Sequence, residues 1–474
     1  MNKAAAVRLG KAFFWDVQAG SDGEVACATC HFHGGADSRK LNTINPGPNG
    51  LFESGVTGPG QLFPGISITT DDRVGSQGIV EQTFSGISPN LASAVDLCTP
   101  SPTAPFFDQR RVTGRNAPTV NGAVFNRDNF WDGRASHDFN GNDPFGLTAN
   151  ASLPASLFDN GSLASQAVAP SVSAVEMSCT GRPLNGLNSL GSKLYPRQPL
   201  QFQNVLATDS VLGNLSAAPA NGLRCGNHRC TYGELIAAAF DPALAADAVN
   251  QFSRIWGQAL QAYQATLVPD QTPLDRQLSG NSAALTASQQ KGLDFFLSGK
   301  GRCTKCHAGP ELTDASVSFA MAQGLINADG GDQGFHNLGV RPTDEDLGRG
   351  DTGPLGATFS QSGADADRGA FKTPGLRNVK LTAPYFHNGG KATIGDVVDF
   401  YARGGDFKNP QQSQFITGFS LSATDRSALI DFLTNALTDC RVEMERAPFD
   451  HPSLSVPNGP ILAAVGAAGH GPCP

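Results

Sequence analysis

Two pentapeptides in this chain carry an unusual set of side chains: "CATCH" at 27–31 and "CTKCH" at 303–307. In Cys-x-x-Cys-His the two thiols can add to the vinyl groups of one haem, and the histidine becomes an axial iron ligand. The competing chemistries fit less well. A zinc ribbon places its cysteine pairs ~15–20 residues apart, whereas these pairs lie in different halves of the chain. A redox dithiol needs no following histidine. The reading is therefore two covalently bound haem c groups. Cys27, Cys30, Cys303 and Cys306 form the thioethers, and His31 and His307 hold the irons.

Each motif is led in by a similar stretch, "RLGKAFFW" before the first and "QKGLDFFL" before the second. Both read as short amphipathic helices with a glycine and a Phe-Phe pair. This is a faint internal repeat, one helical unit per haem. A third helix is expected around "VVDFYARGG" (397–405). Ile394, Val397, Val398 and Tyr401 fall at i, i+3, i+4 and i+7, which is one helical face. Thr393 with Asp396 can cap its start, and Gly404 and Gly405 can end it. On periodicity alone Tyr401 is core packing.

The 474 residues exceed one simple core, and two or three domains are expected. Charged residues make up 16%, against the usual ~25%. With 55 glycines and 31 prolines, much of the chain should be loop. A net charge of −8 offers no basic footprint for nucleic acid. No apolar run approaches the ~20 residues of a membrane span. The opening "MNKAAAVRLGKAFFWD" already reads as a helix, as in a mature or trimmed chain whose export signal is gone. Six cysteines remain: Cys98, Cys179, Cys225, Cys230, Cys440 and Cys473. An even remainder in a loop-rich chain points to up to three disulfides and an oxidising compartment, here the periplasm, where bacterial c-type haem is also attached. The pairing stays open, as does the alternative of free buried thiols.

The ordered set "LGKAFFWD", "CATCH", "GRNAPTVNGAVFNRDNFWDGRA", "SQAVAPSVSAVEM", "ATLVPDQTPLDRQLSGN", "CTKCHAGPELTD" and "FKTPGLRNVKLTAPYFHNGG" resembles the bacterial dihaem cytochrome c peroxidase family, which includes MauG. The resemblance implies a mostly α protein of two cytochrome-c-like haem domains with long loop insertions. The expected domains are 1–268, holding the peroxidatic haem, and 269–474, holding the electron-transfer haem and a C-terminal extension. Residues 37–105, 136–162 and 178–231 are the insertions, expected as disulfide-tied surface loops. By resemblance, Trp131 passes electrons between the haems. Gln166 and Glu176 stand over the open face of the N-terminal haem, with Pro170 between them. Asn116, Thr382 and Pro384 hold a calcium ion, two of them through backbone carbonyls, which suits a hard cation. The chemistry also stands without the family, since a carboxylate such as Glu176 can move a proton from the inner to the outer peroxide oxygen.

In the family's peroxidases a methionine is the sixth ligand of the C-terminal haem; in MauG it is a tyrosine. Counting from His387 puts that position on Tyr401. Methionine favours Fe(II), whereas an anionic phenolate stabilises oxidised iron. The expectation is a second haem that shares a high-valent, bis-Fe(IV)-type state through Trp131. The usual peroxidases also carry a capping histidine seven residues before the arginine of "RNAP"; here that position is Asp108. The N-terminal haem should then be open, unless His137 or His228, in the insertions, folds over it. MauG's surface tryptophan before the second haem motif has no counterpart in "SGKGRCTKCH". His336, in "GFHNLGV", is expected near the second haem, either supporting a ligand or simply packing.

The function these residues imply is reduction of hydrogen peroxide at the N-terminal haem. The electron donor would be a small periplasmic cytochrome c or cupredoxin. Two alternatives remain: peroxide-dependent oxidation of residues in a partner protein, as in MauG, and a dihaem electron carrier without peroxide chemistry.

Overall fold

The computed structural model describes residues 1–146, 160–353, 356 and 358–473. Part of the 136–162 insertion therefore lies outside the described residues. Helix accounts for 29% and strand for 11%. The chain is thus less helical than expected, with most of it in turns and loops. Two small helical units hold the haem motifs, and short two-stranded antiparallel ribbons pin much of the connecting chain.

The internal repeat has a packing reason. Helix Lys3–Trp15 crosses helix Phe252–Gln264 at Gly10, where a Cβ would lie 1.9 Å from the Ala259 carbonyl oxygen. Helix Ala287–Leu297 crosses helix Ala423–Asp431 at Gly292, where a Cβ would lie 2.1 Å from the Ala428 carbonyl oxygen. In each unit only glycine lets the two backbones approach this closely. The Phe-Phe pair follows three residues on and enters the core: Phe13 and Phe14 in the first, Phe295 and Phe296 in the second.

The apolar residues form two large clusters. One draws on residues 5–267 and also on Val442, Phe449, Leu454 and Val456, so the C-terminal segment packs back onto the first unit. The other runs from Leu274 to Leu437.

Three disulfides form, Cys98–Cys179, Cys225–Cys230 and Cys440–Cys473, and the four haem-motif cysteines stay unpaired. The 178–231 insertion is not a surface loop. Leu190, Leu194, Leu200, Val205 and Leu212 are fully buried in the first core. Glycine, proline and asparagine separate its apolar residues, so the segment has the composition of an exposed loop while its leucines reach inward. Asp96 is buried with Arg182 at 2.9 Å and Lys193 at 2.8 Å, which ties the first and third insertions together beside Cys98–Cys179. Within the first insertion, Ile44, Val56, Phe63, Ile68 and Val74 form a small cluster of their own.

Candidate active site

The first haem motif starts a short helix, Ala28–His31, and the second a 3-10 turn, Cys303–Lys305. His31 Nδ1 lies 2.8 Å from the Gly35 carbonyl, and His307 Nδ1 lies 3.1 Å from the Leu312 carbonyl. A carbonyl can only accept, so Nδ1 carries the proton in each ring and Nε2 is left for iron. Burial lowers the pKa of both imidazoles, which keeps them in the neutral, ligating form. The unpaired thiols, in haem-bound protein the thioether sulfurs, precede each histidine in the chain. These residues fit a covalently attached haem in each unit.

Glu176 lies beside the first motif, and its charge is felt at both Cys27 and Cys30. The spacing that marked it out has a structural basis. Gln166 lies in helix Ser162–Val168, and Pro170 opens the 3-10 turn Pro170–Val172 that follows it. The chain then turns at Ser173, whose carbonyl accepts from the Glu176 N–H at 3.2 Å. Several contacts fix this loop: Arg182 donates to the Ser171 carbonyl at 2.8 Å, Ser21 N–H to the Met177 carbonyl at 2.8 Å, and Cys179 is held by its disulfide. Burial raises the pKa of Glu176, while a Ser173 hydrogen bond and the Arg134 charge oppose the rise.

Neither inserted histidine is turned to this site. His137 is held by Asp128 at 2.9 Å through Nδ1 and by Arg127 at 2.9 Å through Nε2. His228 sits on an exposed hairpin, with Nε2 at 2.6 Å from Glu234. Asp108, at the position of the family's capping histidine, is exposed.

The second motif opens into a cavity of about 470 Å³ lined by Cys303, Cys306, His307, Tyr401, Phe386 and Trp131, among others. Tyr401 lies on helix Ile394–Arg403, with the Thr393–Asp396 capping box and Gly404 in the left-handed conformation at its end, as the sequence indicated. Its ring meets Phe400 and Phe386 edge-on at 5.2 and 6.2 Å. Burial pushes its phenol well above the usual range, so it would ionise only against a strong partner such as ferric iron.

Asn116 ties Trp131 to the segment around His387 in the wall of the second cavity. Its carbonyl accepts from the Trp131 indole at 2.8 Å, and its N–H donates to the His387 carbonyl at 2.7 Å. Its side-chain amide lies 2.6 Å from the Pro384 carbonyl. Amide nitrogen and oxygen are interchangeable by rotation. Turning Oδ1 toward Pro384 would bring two oxygens together, the arrangement a hard cation holds. Thr382 lies two residues earlier on the same segment, with its hydroxyl donating to the Val379 carbonyl at 3.2 Å.

The sequence missed the pair Asp314 and Asp329 around His336. His336 is buried, with Nε2 at 2.8 Å from Asp314 and Nδ1 at 3.4 Å from Asp329. The Asp314 N–H donates to the Cys306 carbonyl at 2.7 Å, which makes this pair part of the wall of the second haem site. "HAGPELTD" placed Asp314 near the motif, but only the fold brings His336 to it.

The family profile of the di-haem cytochrome c peroxidases matches residues 4–283, more than half of the chain, which therefore belongs to that family. A cytochrome-c peroxidase, IdrP2, of Denitromonas iodatirespirans is 34% identical over 199 residues, 38% of this chain and 47% of that protein. The methylamine utilization protein MauG of Methylorubrum extorquens is 34% identical over 175 residues, 37% of this chain and 42% of that protein. The chain thus spans about half the length of these relatives. Among solved structures, a MauG-like protein associated with microbial copper homeostasis shares the fold with a TM-score of 0.53 at 20% identity, covering 96% of this chain and 93% of the other. No helix among the described residues is long and apolar enough to cross a membrane.

Proposed function

We propose that this chain reduces hydrogen peroxide to water at its N-terminal haem, in the periplasm, with electrons from a small cytochrome c or cupredoxin. The observation that carries the reading is the placement of Glu176 beside Cys27 and Cys30 while His137 and His228 are held elsewhere. The haem supplies the redox chemistry. Glu176 takes the proton from one peroxide oxygen and returns it to the departing one, and Gln166 orients the substrate. His31 holds the N-terminal iron, and Tyr401 and His307 the C-terminal one, in two haem domains. Trp131 links the haems, and calcium on Asn116, Thr382 and Pro384 steadies that link.

Steady-state peroxide consumption with a reduced small cytochrome or cupredoxin tests the reading. Turnover that depends on Glu176 supports it. Peroxide uptake that proceeds only with a protein substrate would favour the partner-oxidising alternative. No uptake at all would leave an electron carrier.

A further inference from the structure

Trp15 closes the helix that leads into the first haem motif. It is buried, and its indole N–H donates to the Tyr263 hydroxyl at 3.1 Å. The His451 ring stacks on it at 4.6 Å, with 11° between the planes. Toward the haem, Phe14 lies 5.5 Å from Tyr263 and 6.3 Å from the ring of His31, centroid to centroid. Toward solvent, His451 Nε2 lies 3.2 Å from Glu445, which His470 meets at 2.7 Å. His470 is exposed. A line of rings therefore runs from the N-terminal iron ligand to His451, and Glu445 and His470 carry it to the surface of the C-terminal segment.

The surroundings favour positive charge on this line. Lys11 is buried between Asp209 at 2.9 Å and Asp450 at 3.4 Å. One ammonium against two carboxylates leaves a net negative charge, and both carboxylates are felt at Tyr263. Aromatic packing alone explains neither this charge nor the stacked histidine.

We propose that Trp15 is a redox-active residue that relays single electrons from a small one-electron reductant at the surface around Glu445 and His470 to the peroxide-oxidised N-terminal haem. The inference rests on the peroxidatic reading above. Peroxide takes two electrons and two protons to give two waters. Trp15 returns one electron to the haem and becomes a cation radical, keeping its N–H on Tyr263, so no proton leaves. The reductant then refills Trp15 and is itself oxidised by one electron, and a second such cycle supplies the second electron.

The test is rapid freeze-quench EPR of the ferric holoprotein with one equivalent of hydrogen peroxide, in protein carrying ring-deuterated or ordinary tryptophan. The expected result is loss of the ferric signal of the N-terminal haem and a tryptophan radical whose hyperfine pattern narrows on deuteration; each peroxide delivers two oxidising equivalents, so every molecule that carries the radical keeps its C-terminal haem ferric. Trp15→Phe should abolish that radical while the ferric signals are still lost. Tyr263→Phe keeps the ring and should shift the radical's hyperfine pattern by removing its hydrogen-bond partner, which keeps the test open if Trp15→Phe does not fold. Loss of the ferric signals with no tryptophan radical, or with one unchanged in both variants, overturns the relay alone. Ferric signals untouched by peroxide overturn the relay and the peroxidatic reading together.

Discussion

Gly78 lies directly against the backbone of Glu176: a Cβ built on it would stand 2.5 Å from the Glu176 Cα and 2.3 Å from its carbonyl oxygen. Gly78 belongs to the strand Gln77–Val80, and its carbonyl accepts from Arg110 at 2.7 Å, so it cannot easily withdraw. Gly78→Ala should therefore displace Glu176 while leaving the residues of both haem motifs unchanged. The expected outcome is a peroxide reaction slowed by about tenfold or more with both haems still bound. Stopped-flow rates beside a haem-content assay check it.

Glu176→Gln removes the proposed proton carrier. General acid–base groups contribute roughly 10²–10⁴-fold, and a loss in that range is expected in the rate of reaction with peroxide. The pH dependence has a definite sign. In the proposed role the carboxylate is the working form, and burial raises its pKa. The rate should hold at higher pH and fall as pH drops through that raised value. The glutamine variant should lack this acid limb.

On the proposed reading, Tyr401→Met would replace an anionic oxygen ligand by a soft thioether. The potential of the C-terminal haem should rise, by a sizeable part of the ~0.8 V range that axial ligands span. Spectroelectrochemistry reads it, and an unchanged potential means Tyr401 does not bind that iron.

The proposed calcium set contains only neutral oxygens. Affinity should be weak, on the order of 10⁻⁴ M, and dialysis against a chelator should remove the ion. Because the Asn116 carbonyl holds the Trp131 indole, electron exchange between the haems should slow on removal and recover on adding calcium. Metal analysis finding no calcium would sink this.

Breaking Cys98–Cys179 by a double alanine substitution frees a loop closed over 81 residues of separation. Chain entropy puts the expected loss of stability at about 4 kcal/mol, measurable by denaturant unfolding of the haem-loaded protein. The disulfide also holds the end of the Glu176 loop, so peroxide reactivity should fall with it.

Local features were legible in the sequence. The haem motifs, the capped helix that carries Tyr401, and the paired Gly10 and Gly292 all announce themselves by residue type and short spacing. Long-range contacts did not. Nothing near Gly78 in the chain points to Glu176, and nothing near Trp15 points to His451. The buried leucines of 178–231 were hidden because their segment has loop composition and no helical or strand period. The disulfide pairs depended on the fold, which six cysteines alone do not specify.

An open N-terminal haem coupled to a Tyr401-ligated partner is tested most directly by adding one equivalent of hydrogen peroxide to the fully ferric protein and following the visible and near-infrared spectra. Rapid change at both haems without prior reduction is the expected result. No reaction until one electron has been added would contradict it, because the N-terminal iron would then carry a ligand that reduction must release.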